Sequence, residues 1–217
     1  MEILKKHRRK KLLFGIAGIF IPLYTFSFSL KGPYGDLILV TFSQIGARYG
    51  AIELLIAWGI MTAIYYFLFL SYLFDLSGMG SLTLKALLSI TCMTLLITVF
   101  LPYAPTMFPI TSKTHNLLAY ITAASVVSLL FIFSIKLIKI DKILFLKSFL
   151  TYLVALVIIL YVLLTFGVSS MFQIVLSAVM CILMFTLLIF LENSDKINIY
   201  DNLNHSLNED TINTDIF

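Results

Sequence analysis

Charge is scarce in this chain, and its scarcity excludes most ordinary folds. Only 12% of the 217 residues are charged, while 60% are hydrophobic. A water-soluble domain with that make-up would expose broad apolar patches and aggregate. Cysteine is nearly missing too. The two present, Cys92 and Cys181, each fall near the middle of an apolar run. A metal site needs converging ligands and a structural disulfide needs an exposed oxidising region, so both read as small packing residues. There is no nucleotide-binding motif, no H-E-x-x-H, no bis-histidine arrangement for haem and no G-x-S-x-G. No catalytic set, metal site or cofactor is therefore expected. Strict apolar/polar alternation is also absent, which excludes barrel strands. Segments such as 158–164 are apolar on every face and must be helical if they lie in hydrocarbon.

What the chain does contain is six long apolar stretches. They run Leu12–Leu30, Ala51–Phe74, Leu82–Tyr103, Leu117–Ile135, Ile143–Phe166 and Val168–Leu191. A helix needs roughly 20 residues to cross a hydrocarbon core of about 30 Å, and each stretch meets or approaches that length. The expected fold is all-α: a polytopic bundle of six transmembrane helices. The organisation predicted is a basic N-terminus over 1–11, a membrane domain over 12–191 and an acidic, Asn-rich tail over 192–217. That tail holds Glu192, Asp195, Asp201, Glu209, Asp210 and Asp215 against Lys196 alone, with too few apolar residues to build a core, so disorder is expected.

Basic residues set the orientation. Lys5, Lys6, Arg8, Arg9, Lys10 and Lys11 precede the first stretch. Lys85, Lys136, Lys139, Lys142, Lys147 and Lys196 fall on the same side of an even-pass bundle. Lys31, Arg48 and Lys113 fall on the other. Twelve against three puts both termini in the cytoplasm. The first stretch is too long for a usual signal-peptide core and no A-x-A-like site follows, so it is expected to stay as the first helix. Its basic start can meet anionic lipid at the inner leaflet. It is short and belongs to no folded module, which argues against nucleic acid.

Polar residues gather at the outer end. Gly32-Pro33-Tyr34-Gly35 reads as a turn. The following segment, 36–46, is apolar but too short to span, and suits an interfacial helix or a lid. Gly46 and Gly50 then form a G-x-x-x-G pair at the mouth of the second stretch. Glu53 lies one turn into that stretch, where a carboxylate must be paired, protonated or wet. Between the third and fourth stretches, Pro102, Pro105 and Pro109 stiffen the connection. Ser112 or Thr114 is expected to cap the fourth helix, with His115 and Asn116 in its first turn. Asp36, Arg48, Glu53, His115 and Asn116 thus share one end of the bundle and form the candidate site. One histidine and two carboxylates can ligate a metal or move a proton, although a capped histidine at a helix start or a non-catalytic binding site fits the same residues. Inside the later stretches Gln173, Ser177 and Thr186 can hydrogen-bond to neighbouring helices. No row of acids and bases, no broken helix and no internal repeat marks an ion pathway.

The text 98–109, ending Met107-Phe108-Pro109, followed by Thr114-His115-Asn116 and Tyr120, resembles the bacterial domain-of-unknown-function family 998. That family resembles in turn the eukaryotic Frag1/DRAM/Sfk1 membrane proteins. Phe108-Pro109 and His115 occupy the places of the family's Phe-Pro element and of the histidine opening its fourth helix. Ile110 and Thr111 stand where members often carry an acid, which weakens an acid–histidine site. The resemblance implies a six-helix protein of a bacterial plasma membrane with an uncharacterised role. From all this, the expected function is a non-enzymatic integral membrane protein. Its outer-facing polar pocket would take a lipid headgroup or small solute, or support a membrane-protein partner. A small transporter or channel is the alternative. A further alternative is a membrane enzyme acting on lipid, with His115 as base and Glu53 or Asp36 as orienter.

Overall fold

The structure is a computed structural model and describes residues 2–33 and 37–194. Its element order is α1 (Glu2–Ser29), α2 (Phe42–Arg48), α3 (Ile52–Leu76), α4 (Leu82–Phe100), α5 (Pro109–Lys136), α6 (Lys142–Phe166) and α7 (Ser170–Glu192), with one 3-10 turn over Leu137–Lys139. No strand occurs among the described residues. All helices but α2 are long and apolar enough to cross a membrane.

Local chemistry sets the ends of these helices. Ser81 accepts a hydrogen bond from Leu84 N–H, Asp141 from Ile143 N–H and Ser169 from Phe172 N–H, so each supplies an acceptor to otherwise unpaired N-terminal amides. α6 stops at Gly167, whose φ of 61° is one that side-chain-bearing residues avoid. Two helices start earlier than their apolar runs. α1 begins at Glu2, so the basic segment is helical and continuous with the first apolar stretch; lysine and arginine are good helix formers and do not interrupt it. α5 begins at Pro109, not near Ser112. Proline needs no hydrogen-bond partner for its nitrogen and suits the first helical position. His115 therefore sits in the second turn, and Ser112 turns back to accept from Ala104 N–H at 3.0 Å.

The long helices pack in a ring, α1–α3–α4–α5–α6–α7 and back to α1, with α3 and α7 also touching across it. Phe69, Leu70, Leu73, Phe74, Phe133 and Leu188 are fully buried at its centre. Gly59 brings α3 against α4: a Cβ there would lie 2.5 Å from Val99 Cγ2. Large apolar side chains such as Ile16, Leu23, Val157 and Leu164 project outward, an arrangement stable only beside lipid or another apolar surface. Cys92 and Cys181 are free thiols inside the bundle. Asp36 and the predicted tail from residue 195 lie outside the described residues.

The ring has two ends. One holds the start of α1, the α3–α4 and α5–α6 turns and the end of α7; it is called the basic end below. The other holds α2.

Candidate functional site

At the α2 end, the segment between α1 and α3 folds into a single two-turn helix. Its start is a capping box: Thr41 Oγ1 accepts from Gln44 N–H at 3.3 Å, and Gln44 Oε1 accepts from Thr41 N–H at 2.8 Å. Its apolar face is Phe42 and Ile45, both buried. Phe42 meets Phe28 of α1 and Trp58 of α3 edge-on, with ring centroids 5.0 and 5.4 Å apart. Edge-to-face contacts of this kind pull α2 onto the α1–α3 pair. Gly46 sits against Leu55, whereas Gly50 has open space around it and a φ of 68°, so only the first glycine of the predicted pair serves close approach.

Polar contacts then pin α2 to the rest of the ring. Gln173 Oε1 of α7 accepts from Phe42 N–H at 2.9 Å. The Val40 carbonyl accepts from both N–H and Oγ of Ser170 at 2.7 Å, and the Leu37 carbonyl from Met171 N–H at 2.9 Å. The connection thus satisfies amides at the start of α7 that have no partner within that helix. From α5, His115 reaches Ser43 Oγ with Nε2 at 2.6 Å and the Leu101 carbonyl with Nδ1 at 3.1 Å. A carbonyl can only accept, so Nδ1 carries a proton. In the neutral ring Nε2 then holds the lone pair and takes the Ser43 hydroxyl proton. The Tyr103 ring lies 5.4 Å from the imidazole. Beneath α2, Trp58 Nε1 donates to Thr25 Oγ1 at 3.0 Å, Thr25 donates to the Ile21 carbonyl at 2.7 Å, and Ser177 Oγ stands 3.4 Å from Thr25. A polar line therefore descends between α1, α3 and α7.

Of the described residues expected to form the site, His115 alone enters this network, and it is buried at 3% exposure. Asn116, beside it in sequence, is exposed. Glu53 is exposed in the first turn of α3 and Arg48 is exposed in the last turn of α2, positions where each favours its own helix dipole. Among the described residues neither forms an ion pair. Glu53 therefore neither orients His115 nor pairs with Arg48. The imidazole is held instead by a backbone carbonyl and a hydroxyl. Ser43 was not singled out by sequence, although Thr41-x-x-Gln44 is a legible helix start that would have placed it on a short helix.

A second polar cluster stands at the basic end. Glu192, the last residue of α7, accepts from His7 Nε2 at 2.8 Å with one oxygen and from Lys11 Nζ with the other. His7 Nδ1 bonds the Tyr72 hydroxyl of α3. Lys10 lies over the Tyr72 ring, 5.0 Å from its centroid. A third acid, Asp75, pairs with Lys85 at 2.9 Å and ties α3 to α4. No group of three or more histidine, cysteine, aspartate or glutamate side chains converges on a metal-sized site among the described residues. No protein family, curated protein or solved structure matches this chain.

Proposed function

We propose that this is a multi-pass plasma-membrane protein with its basic end in the cytoplasm, and that the α2 end, outside, binds a lipid headgroup without chemical turnover. The orientation follows from twelve basic residues on one side against three on the other. The observation that carries the binding reading is the docking of α2. A short capped helix is held by hydrogen bonds from α5 and α7 at one end of the bundle, with Ser43 part-exposed on it. At the same end of the bundle Leu39, Met107, Phe108 and Ile110 are exposed, apolar groups suited to acyl chains. Rigid placement of a few polar groups within an apolar surround is how small-ligand sites gain orientation. A soluble solute would leave those exposed apolar side chains unexplained. Phe108-Pro109 preceding His115 also supports kinship with the domain-of-unknown-function family 998. The test is lipid photo-crosslinking to the reconstituted full chain. Crosslinks should map to 37–48 and 103–115 and weaken in Ser43→Ala; crosslinks confined to the sides of the bundle would reject the site.

One observation favours a second reading. Ser43, His115 and the Leu101 carbonyl have the order of a nucleophile, a base and the group that orients the base. In that reading Ser43 Oγ attacks a lipid ester carbonyl and its proton passes to His115 Nε2. The departing alcohol takes that proton, and water releases the acyl group. A fluorophosphonate probe decides it: loss of fluoride with covalent labelling at Ser43, abolished in His115→Ala, supports an esterase. An unlabelled Ser43 in the folded protein removes it.

A further inference from the structure

The cationic start of α1 is divided between its two faces. His7, Lys10 and Lys11 turn toward the protein, where Tyr72 and Glu192 engage them. Lys5, Lys6, Arg8 and Arg9 are exposed, and none has an acidic partner among the described residues. Successive helical residues are rotated by about 100°, so these four fall within the same arc, about 160° wide, as Leu12, Leu13, Ile16, Ile19 and Leu23. Those five are exposed too and form the outward apolar stripe of α1. The four cations thus stand directly under the face that meets lipid, not under the face that meets protein.

Depth agrees with direction. α1 is one unbroken helix of 28 residues. At 1.5 Å per residue, the portion from Leu12 to Ser29 covers roughly 27 Å, close to the hydrocarbon thickness. The portion from Lys5 to Lys11 adds roughly 10 Å and lies in the headgroup layer. Among the acids at this end whose side chains are described, Glu192 is engaged by His7 and Lys11, Asp75 by Lys85 and Asp141 by Ile143 N–H. Glu192 also acts as a rotational stop: by holding one side of α1 it keeps the opposite side turned outward.

We infer that Lys5, Lys6, Arg8 and Arg9 form a binding face for anionic phospholipid headgroups of the adjoining leaflet, held in register by Glu192. Phosphate oxygens accept charge-assisted hydrogen bonds from these groups, and anionic leaflets attract such juxtamembrane clusters. The inference requires insertion in a bilayer and is independent of the α2 reading.

The test uses the full chain extracted from bilayers of phosphatidylcholine and phosphatidylglycerol, with retained lipid counted by native mass spectrometry. The wild-type protein should retain phosphatidylglycerol in excess of its share of the bilayer. The variant K5Q/K6Q/R8Q/R9Q should lose that preference about tenfold, while K139Q/K142Q, which removes exposed charge elsewhere at the same end, should keep it. K5R/K6R/R8K/R9K, which preserves charge, should also keep it. High salt during extraction should weaken the wild-type preference, a readout that needs no variant. Equal retention in the glutamine and wild-type proteins overturns the inference. So does zero-length crosslinking of these four cations to the acidic segment 195–217, which would make the tail their partner.

Discussion

The two ends of this bundle are closed by different physics. At the basic end Glu192 joins His7 and Lys11, residues up to 185 positions away, through charged contacts that are only partly shielded from water. At the α2 end the connections are neutral: a hydroxyl, an imidazole, an amide and several backbone groups. Charged contacts near the surface weaken as salt screens them, whereas short neutral hydrogen bonds do not. The contrast suits the two tasks proposed. Surplus positive charge at one end meets a charged leaflet, and a rigid neutral platform at the other end orients a headgroup.

Substitutions can break this contrast or sharpen it. The largest loss is expected for Glu192→Ala, which strands His7 and Lys11 together. Thermal unfolding in detergent should show a cost of about 2–3 kcal/mol, as for hydrogen bonds to charged groups. That cost should shrink in about 1 M salt, where screening extends over only a few ångströms. His115→Ala leaves Ser43 and the Leu101 carbonyl without their partner and should cost about 1–2 kcal/mol. Its cost should be the same at low and high salt; an equal salt response at both ends would erase the distinction. Thr41→Ala removes one half of the capping box and should cost about 1 kcal/mol, with faster amide exchange confined to α2. Smallest of all is Glu53→Gln, an exposed residue with no ion pair, expected to change stability by less than about 0.5 kcal/mol. A large effect there would show that Glu53 has a partner in the membrane-bound protein and return it to the candidate site.

Much of the fold was legible from hydrophobic runs because helices long and apolar enough to cross a membrane carry them without interruption. Each predicted stretch falls on one long helix; most ends agree within a few residues, but α1 starts ten residues before Leu12 and α5 eight residues before Leu117. The errors fell where chemistry is local and ambiguous. Ser112 looked like a cap because a hydroxyl precedes an apolar run, but Pro109 starts the helix earlier and the hydroxyl serves the preceding loop. The candidate site was legible only as a shared end. Shared location is a property of topology, and it does not say which side chains turn inward. His115 turns in and is buried, while Asn116, one residue on, turns out, because neighbouring helical residues are rotated by about 100°. The Glu192 cluster was not visible at all. Its members come from both ends of the chain and from α3, and no spacing rule links them.

The order of residues alone determined that there are six helices long and apolar enough to cross a membrane, and where along the chain positive charge accumulates. Those properties depend on runs and totals, which each segment carries within itself. Tertiary structure decided which polar groups meet: Ser43 with His115, Gln173 with the first amide of α2, Glu192 with His7 and Lys11. A hydrogen bond forms over about 3 Å, and that separation is fixed only when helices distant in the chain are packed at one rotation and one depth.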